Sequence, residues 1–434
     1  MSKSHPTQRG SSRTKRPERF QIEMRCLSLD QLLDPQHRAR IVWQYVESLD
    51  LSELYTAIQA VEGGVGRDAV DPQIPFALWL LATLEGISSG RQLTELTTRD
   101  IPYMWLCGGV SVNYHLINDF RVAHGELLKP LMIDSISVLL HQKLITLDEI
   151  GQDGMRVRAS AGASSFRRES TLEEAQAQAR EHVERISREH EADPGGDQRR
   201  QQAAQKRAAT ERQEKITQAL AELEEIKSQR AQQRREETSQ PRASTTDPEA
   251  RKMKMGDGGF RPAFNVQFAT DHETRLIVGV EVNNQGTDSG LMEPMHAQLQ
   301  SDYGVTPKRY LVDGGFAKKE DVTTLERAGT QVYAPLPCEE KHLKQGKDPY
   351  APKPSESQEM GEFRQRMKTP EAKEIYQHRC SVAEFPNADC RNRGLYQFRI
   401  RGCVKAEAQV MWHVLAYNLL RLIKLGFLEK VMAR

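Results

Sequence analysis

The stretch Arg309-Tyr-Leu-Val-Asp313-Gly-Gly-Phe316 limits more than any other what this chain can fold into. Tyr310, Leu311 and Val312 form a short aromatic and β-branched run that stops at an acid and two glycines, the pattern of a buried strand leaving its sheet. Asp313 then stands at the strand's carboxyl end. That edge is where open α/β sheets bind ligands, and Gly314 and Gly315 allow a metal, a phosphate or another backbone to approach closely. An Asp-Gly turn closing an ordinary strand fits the same residues, so the company Asp313 keeps has to decide.

The alternation around it sets the fold class. Ala263 to Thr270 and Leu276 to Val282 are expected to be adjacent strands joined by a turn at Asp271-His-Glu-Thr274. A helix from Asp288 to about Gln300 follows, then the Asp313 strand, a helix over Lys318 to Arg327 and a short strand Gln331-Val-Tyr-Ala334. Upstream, Leu147 to Arg158 changes from helical to extended period, with Asp153 at a strand end before Gly154 and with Arg156 and Arg158 alternating with Met155 and Val157. Asp148 is a rival acid nearer that strand's start. Three strands followed by alternating helix and strand match a ribonuclease H-like α/β fold, a mixed five-stranded sheet flanked by helices. In that order the Asp153 and Asp313 strands are parallel neighbours, and both carboxylates meet at one sheet edge.

Two helical regions surround this alternation. From about 30 to 143 the spacing is helical: Asp34-Pro35 reads as an N-cap with proline at the first helical position, and a second helix begins near Leu51. After the loop Gly63-Gly64-Val-Gly66, Ile74 to Leu84 is apolar nearly all round and should be the centre of a bundle, with Arg91 to Thr98, Asn113 to His124 and Glu126 to Gln142 around it. Such a domain can present a recognition helix to DNA or simply pack. Residues 165 to 250 are rich in Glu, Gln, Arg and Ala. A thin apolar stripe at Val183 and Ile186 and a stronger one at Ile216, Ala219, Leu220, Leu223 and Ile226 flank the break Asp193-Pro-Gly-Gly-Asp197, so a coiled-coil-like helical hairpin is expected there.

The expected division is therefore a basic arm over 1–25, a helical domain over 26–143, a catalytic domain over 144–164 and 251–434, and an inserted hairpin over 165–250. The arm carries seven Lys or Arg against two Glu, a composition that suits phosphates or a solvated tail. No apolar run approaches the roughly 18 residues a membrane helix needs, and the start is polar and basic rather than a signal peptide, which points to a cytoplasmic protein. Six cysteines lie apart with no Cys-x-x-Cys pair, which argues against disulfides and a zinc ribbon; His378 beside Cys380 also lacks a partner pair at ligand spacing.

A metal site built on two aspartates needs a further acid, and the C-terminal region offers Glu384 in Tyr376-Gln-His-Arg379-Cys-Ser-Val-Ala-Glu384-Phe-Pro-Asn-Ala-Asp-Cys-Arg391. Tyr, two residues, Arg, four residues, Glu, six residues and a basic residue resembles the signature of bacterial DDE-type insertion-sequence transposases. The resemblance continues through Ser88, Arg91, Trp105-Leu106, Asp119-Phe-Arg121, Asp153-Gly, Asn265-Val-Gln267, Val312-Asp-Gly-Gly-Phe316, Phe398-Arg-Ile-Arg-Gly402, Glu407 and Ala416-Tyr-Asn418, nearly the whole chain after residue 25. Two departures stand out: Arg391 replaces the family's lysine, and Asn387-Ala388 replaces Phe-Gly after Glu-x-Pro. Pro386 should break or restart the helix beside Glu384.

The resemblance implies a transposase that cuts the ends of an element and joins them to target DNA. Asp153, Asp313 and Glu384 would hold two Mg²⁺ ions, with Mn²⁺ as a substitute, and the DNA partners would be terminal inverted repeats and target duplex, with a homodimer on DNA acting at the nucleoid. Tyr376, Arg379 and Arg391 would contact DNA beside Glu384. From the residues themselves, Arg391, Arg393, Arg399, Arg401 and Lys405, with Tyr396 and Phe398 between them, form a basic tract suited to phosphates and stacking. Asn265 and Gln267 are expected to serve the sheet. Two other classes share these features: a nuclease on the same sheet that cuts without joining, and a DNA-binding scaffold with a degenerate site.

Overall fold

A computed structural model describes residues 19–20, 22, 24, 26–60, 68–192, 199–232 and 240–433. Most of the basic arm, the Gly63–Gly66 loop and the Asp193–Asp197 break lie outside the described residues. Among the described residues no helix is long and apolar enough to cross a membrane.

The sheet is ribonuclease H-like. Its first strand, Glu149–Arg158, is flanked on one side by the antiparallel strand Phe260–Asp271 and then Ile277–Asn283, and on the other by the parallel strands Arg309–Leu311 and Gln331–Tyr333. This is the expected five-strand order. A sixth short strand, Arg251–Lys254, was not expected: it pairs with the start of Phe260–Asp271 on the edge away from the first strand, since Ala263 is partnered by Arg158 on one side and Arg251 on the other. The first strand also runs unbroken through Gly154, so Asp153 lies in mid-strand rather than at a strand end. Glycine is required there because a Cβ would meet Gln267 Nε2 at 2.2 Å and Asp288 Oδ1 at 2.7 Å.

Those two atoms belong to a polar network that pins the sheet. The Asp288 carboxylate accepts from both terminal nitrogens of Arg156 (3.0 Å each), from Asn265 Nδ2 (2.9 Å) and from Gln267 Nε2 (2.8 Å). Gln152 donates to Gln267 Oε1 and the Leu291 carbonyl, and Tyr310 donates to Gln152. A buried polar cluster holds only when its members are satisfied, and here nearly every donor finds an acceptor. Asn265 and Gln267 do serve the sheet. Asp288 precedes the helix, which starts at Met292 rather than at Asp288.

The amino-terminal region is all helical, as its periodicity predicts. Helix Gln73–Leu84 is buried from Ile74 to Leu84 and packs against Arg38–Ser48, Ile101–Cys107, Tyr114–Ala123 and Cys403–Leu425. The Asp34-Pro35 start is displaced: Asp34 Oδ1 instead accepts from Gln36 N in a turn, and the helix begins at Arg38 with His37 as its cap. Helix Ile101–Cys107 escaped the periodicity. The long C-terminal helix Cys403–Leu425 is buried along most of its length and joins the two regions. Its Trp412 ring lies 4.8 Å from Phe76 and donates to the Arg121 carbonyl, while Asn418 brackets the edge strand by accepting from Ile277 N and donating to Ile277 O. One apolar core therefore runs from the helical region into the sheet.

The insert forms helices Glu169–Ala192 and Arg199–Gln232, resting on a two-stranded base of Phe166–Arg167 and Ala243–Ser244. Leu172, Ala219, Leu223 and Ala243 make a separate apolar cluster. Its ties to the sheet are polar: Arg251 pairs with Glu222, and Gln218 donates to Glu249 at 3.2 Å. Because that cluster is its own, replacing residues 170 to 240 with a short flexible linker is expected to leave a cooperatively melting protein with reduced helicity by circular dichroism. Loss of the melting transition would show the hairpin to be integral.

Candidate active site

The first and fourth strands of the ribonuclease H order carry the two aspartates to one place. Glu149 pairs with Arg309, Ile150 with Tyr310 and Gly151 with Leu311, and continuing that register two residues sets Asp153 level with Asp313. Asp313 lies just past its strand, where its Oδ1 accepts from Gly315 N at 2.7 Å. A Cβ on Gly315 would meet that oxygen at 2.9 Å, which explains glycine at this position.

Glu384 reaches the same edge through an irregular helix. Helix Pro370–Gln377 ends, a π-helical turn spans Cys380–Glu384, and a new helix, Phe385–Asn392, starts with Pro386 in its first turn. Proline has no N–H for the preceding turn, so the helix restarts as expected, and the wide turn takes up the change of register. The turn sits directly on the first strand: a Cβ on Gly151 would meet Val382 Cγ1 at 3.1 Å and Ala383 Cβ at 3.3 Å.

Arg379 links the acids. Its Nη2 donates to Glu384 Oε1 at 2.8 Å, and its Nη1 lies 3.9 Å from Asp153 Oδ1. The side chains of Arg379 and Asp153 are 10% and 18% exposed, whereas Glu384 is 52% exposed. Burial pushes Asp153 up to about 6; Arg379, Gly154 N and Asn387 oppose the shift, and Asp313 adds to it. Arg379 is held above the usual arginine range: burial alone would lower it, but Tyr376, Asp153 and Glu384 outweigh that. Tyr376 is half-buried, and its hydroxyl is raised by burial first, with Asp313 adding to the effect. Tyr376, Arg379 and the three acids thus gather at one edge.

The donor set is all carboxylate oxygen, which suits a hard divalent cation such as Mg²⁺ or Mn²⁺. A buried aspartate with a raised pKa beside a second aspartate is an arrangement such a cation relieves. Among the described residues, however, no three His, Cys, Asp or Glu side chains are grouped closely enough to hold a metal ion. The Glu384 carboxylate is turned to Arg379; the set suits a hard cation in its chemistry, and Glu384 would join it only on release from Arg379.

Asn387, a departure from the family pattern, points into the site. It is buried, and its Nδ2 donates to Asp153 Oδ2 at 2.8 Å. No sequence signal marks this contact except its position three residues after Glu384.

The basic tract divides. Arg393 is engaged by Asp389 at 2.8 Å and by the Leu84 carbonyl, tying this segment to the helical region. Arg399, Arg401 and Lys405 are exposed along a cleft shared with Arg91 and with Lys215 of the insert. Phe398 is buried in the core, and Arg391 and Tyr396 open onto a different cleft beside Gly154.

The fold places the chain in the ribonuclease H-like class. A family model described as Transposase DDE domain matches residues 236–419, and one described as Transposase domain (DUF772) matches residues 27–123. The chain belongs to the insertion-sequence transposases built from these two domains in this order. The DDE match covers Asp313 and Glu384 and begins after Asp153, which lies on the other side of the insert. No curated protein and no solved structure matches the chain.

Proposed function

We propose that this transposase cuts the ends of its element and joins them to target DNA at the edge formed by Asp153, Asp313 and Glu384. The observation that carries the reading is the parallel register that brings Asp153 level with Asp313, with Arg379 joining Asp153 to Glu384. Bound to these carboxylates, a pair of Mg²⁺ ions would supply an activated water or 3′-hydroxyl and a stabilised leaving oxygen. The chain's own residues do the rest. Asn387 fixes one oxygen of Asp153 and so aims the other, and Arg379, exchanging Glu384 for phosphate, would brace the scissile strand beside Tyr376. The working unit would be a homodimer on DNA in the cytoplasm, with the helical region 26–143 and the arm 1–25 adding contacts, the catalytic domain formed by 144–164 and 251–434, and the hairpin 165–250 set apart. Incubating labelled element ends with Mg²⁺ and a target plasmid tests this: joined products are expected, cut but unjoined ends would indicate a nuclease, and bound but intact DNA a scaffold.

Arg399, Arg401 and Lys405 would track duplex phosphates. Each neutralised contact should flatten the slope of log affinity against log salt by roughly 0.9, so Arg399→Gln with Arg401→Gln is expected to remove about twice that, weakening binding to all duplexes most at low salt. An unchanged slope in a salt titration would place the affinity elsewhere.

A further inference from the structure

A cleft of about 710 Å³ lies beside the catalytic strand, reached from Gly154 and bounded by Arg158, Lys254, Arg261, Arg391 and Tyr396. Two of its cations are neutralised at home, Arg156 by Asp288 and Arg261 by Asp257. Among the described residues Arg158, Lys254 and Arg391 form no ion pair, so the cleft keeps a net positive charge. Gly256 and Gly286 line it with open space where a side chain would stand, leaving room for a ligand's backbone to approach.

Tyr396 sets the kind of ligand. It is 51% exposed, unusual for so large a ring, and Arg158 covers it with its guanidinium carbon 5.8 Å from the ring centroid. The backbone that carries the ring is nevertheless held firmly. Tyr396 O accepts from Arg158 N at 3.2 Å, Phe398 N donates to Arg158 O at 2.8 Å, and Gln397 bridges Arg158 in parallel fashion, so this segment is a short extra edge on the first strand. An exposed aromatic on rigid backbone, backed by a cation and flanked by unpaired positive charge, is a stacking platform. Bases inside a duplex stack on each other and do not offer a free face. A platform of this kind therefore takes an unpaired base.

We propose that this cleft binds a single-stranded segment of DNA, one base stacking on Tyr396 and the adjoining phosphates lying on Arg158, Lys254 and Arg391. This deepens the transposase reading and rests on it for the identity of the strand. Asp153 and Arg158 lie on the same strand, so the cleft and the acidic edge share one rigid element.

Fluorescence anisotropy with a blunt duplex, and with the same duplex carrying a short single-stranded thymidine tail at either end, tests the proposal without requiring cleavage. The wild-type protein is expected to favour a tailed duplex by about tenfold. Tyr396→Ala should reduce that ratio to about one and Tyr396→Phe should keep it, since the ring and not the hydroxyl stacks. Lys254→Gln should flatten the salt slope for the tailed duplex by roughly 0.7. Equal affinity of the wild-type protein for both duplexes, or a Tyr396→Ala variant that retains the preference, overturns the inference. Absent strand cleavage with the tail preference intact would count instead against the transposition chemistry.

Discussion

Asp153→Asn, Asp313→Asn and Glu384→Gln are each expected to abolish metal-dependent strand cleavage while leaving DNA binding largely unchanged. Each substitution removes a ligand charge and almost no volume. The loss should exceed the ~10–100-fold that disturbing a group hydrogen-bonded to a metal ligand typically causes. Asn387, which donates to Asp153 but is not itself a candidate ligand, offers that comparison: Asn387→Ala should fall within the smaller range. Labelled element ends in Mg²⁺ give the cleavage rate, and anisotropy gives binding. Cleavage retained by Asp313→Asn would sink the assignment.

The same Asp153→Asn variant should be more stable than the parent at neutral pH in the absence of divalent metal. Burial, with Asp313 nearby, raises Asp153 to about 6 in the folded chain, above the ordinary aspartate value. A raised pKa stabilises the folded state fully below the unfolded value, and this contribution is lost as pH rises from about 4 through about 6. Above that window the parent carries a buried charge that asparagine does not, a difference on the order of 1–3 kcal/mol. Denaturant midpoints should therefore separate the two proteins at pH 8 and bring them together near pH 4. A variant less stable than the parent at pH 8 would mean that Arg379 and Asn387 fully compensate the charge. Gain of stability with loss of activity is the mark of a residue kept for chemistry.

Much of this arrangement is legible in the amino-acid sequence. The short apolar runs ending at Asp-Gly gave the strand order, because a buried strand and its exit turn have compositions that few other elements share. Asp153 was found but misplaced to a strand end, since glycine ordinarily marks a boundary. Here it marks crowding, with Gln267 and Asp288 filling the space a side chain would take. The basic tract after Cys390 was found as a row, whereas in space Arg393 faces the helical region, Arg391 one cleft and Arg399 another. Adjacency along an irregular segment does not say which way a residue points. Lys254 was missed because its strand is four residues long and pairs only through its neighbour. Asn387 looked like a loss relative to the family, and only three-dimensional register turns it toward Asp153.

The helix Cys403–Leu425 follows every strand of the sheet in the chain, yet it closes the core of the helices that precede them. Trp412 packs on Phe76 and Asn418 completes the edge strand, so the amino-terminal helices cannot finish folding until this helix has been made. A premature stop codon anywhere before this helix would not leave a free DNA-binding fragment to compete for the element's ends. It would leave an open apolar surface for proteases, so a decaying copy of the gene would be silent rather than inhibitory.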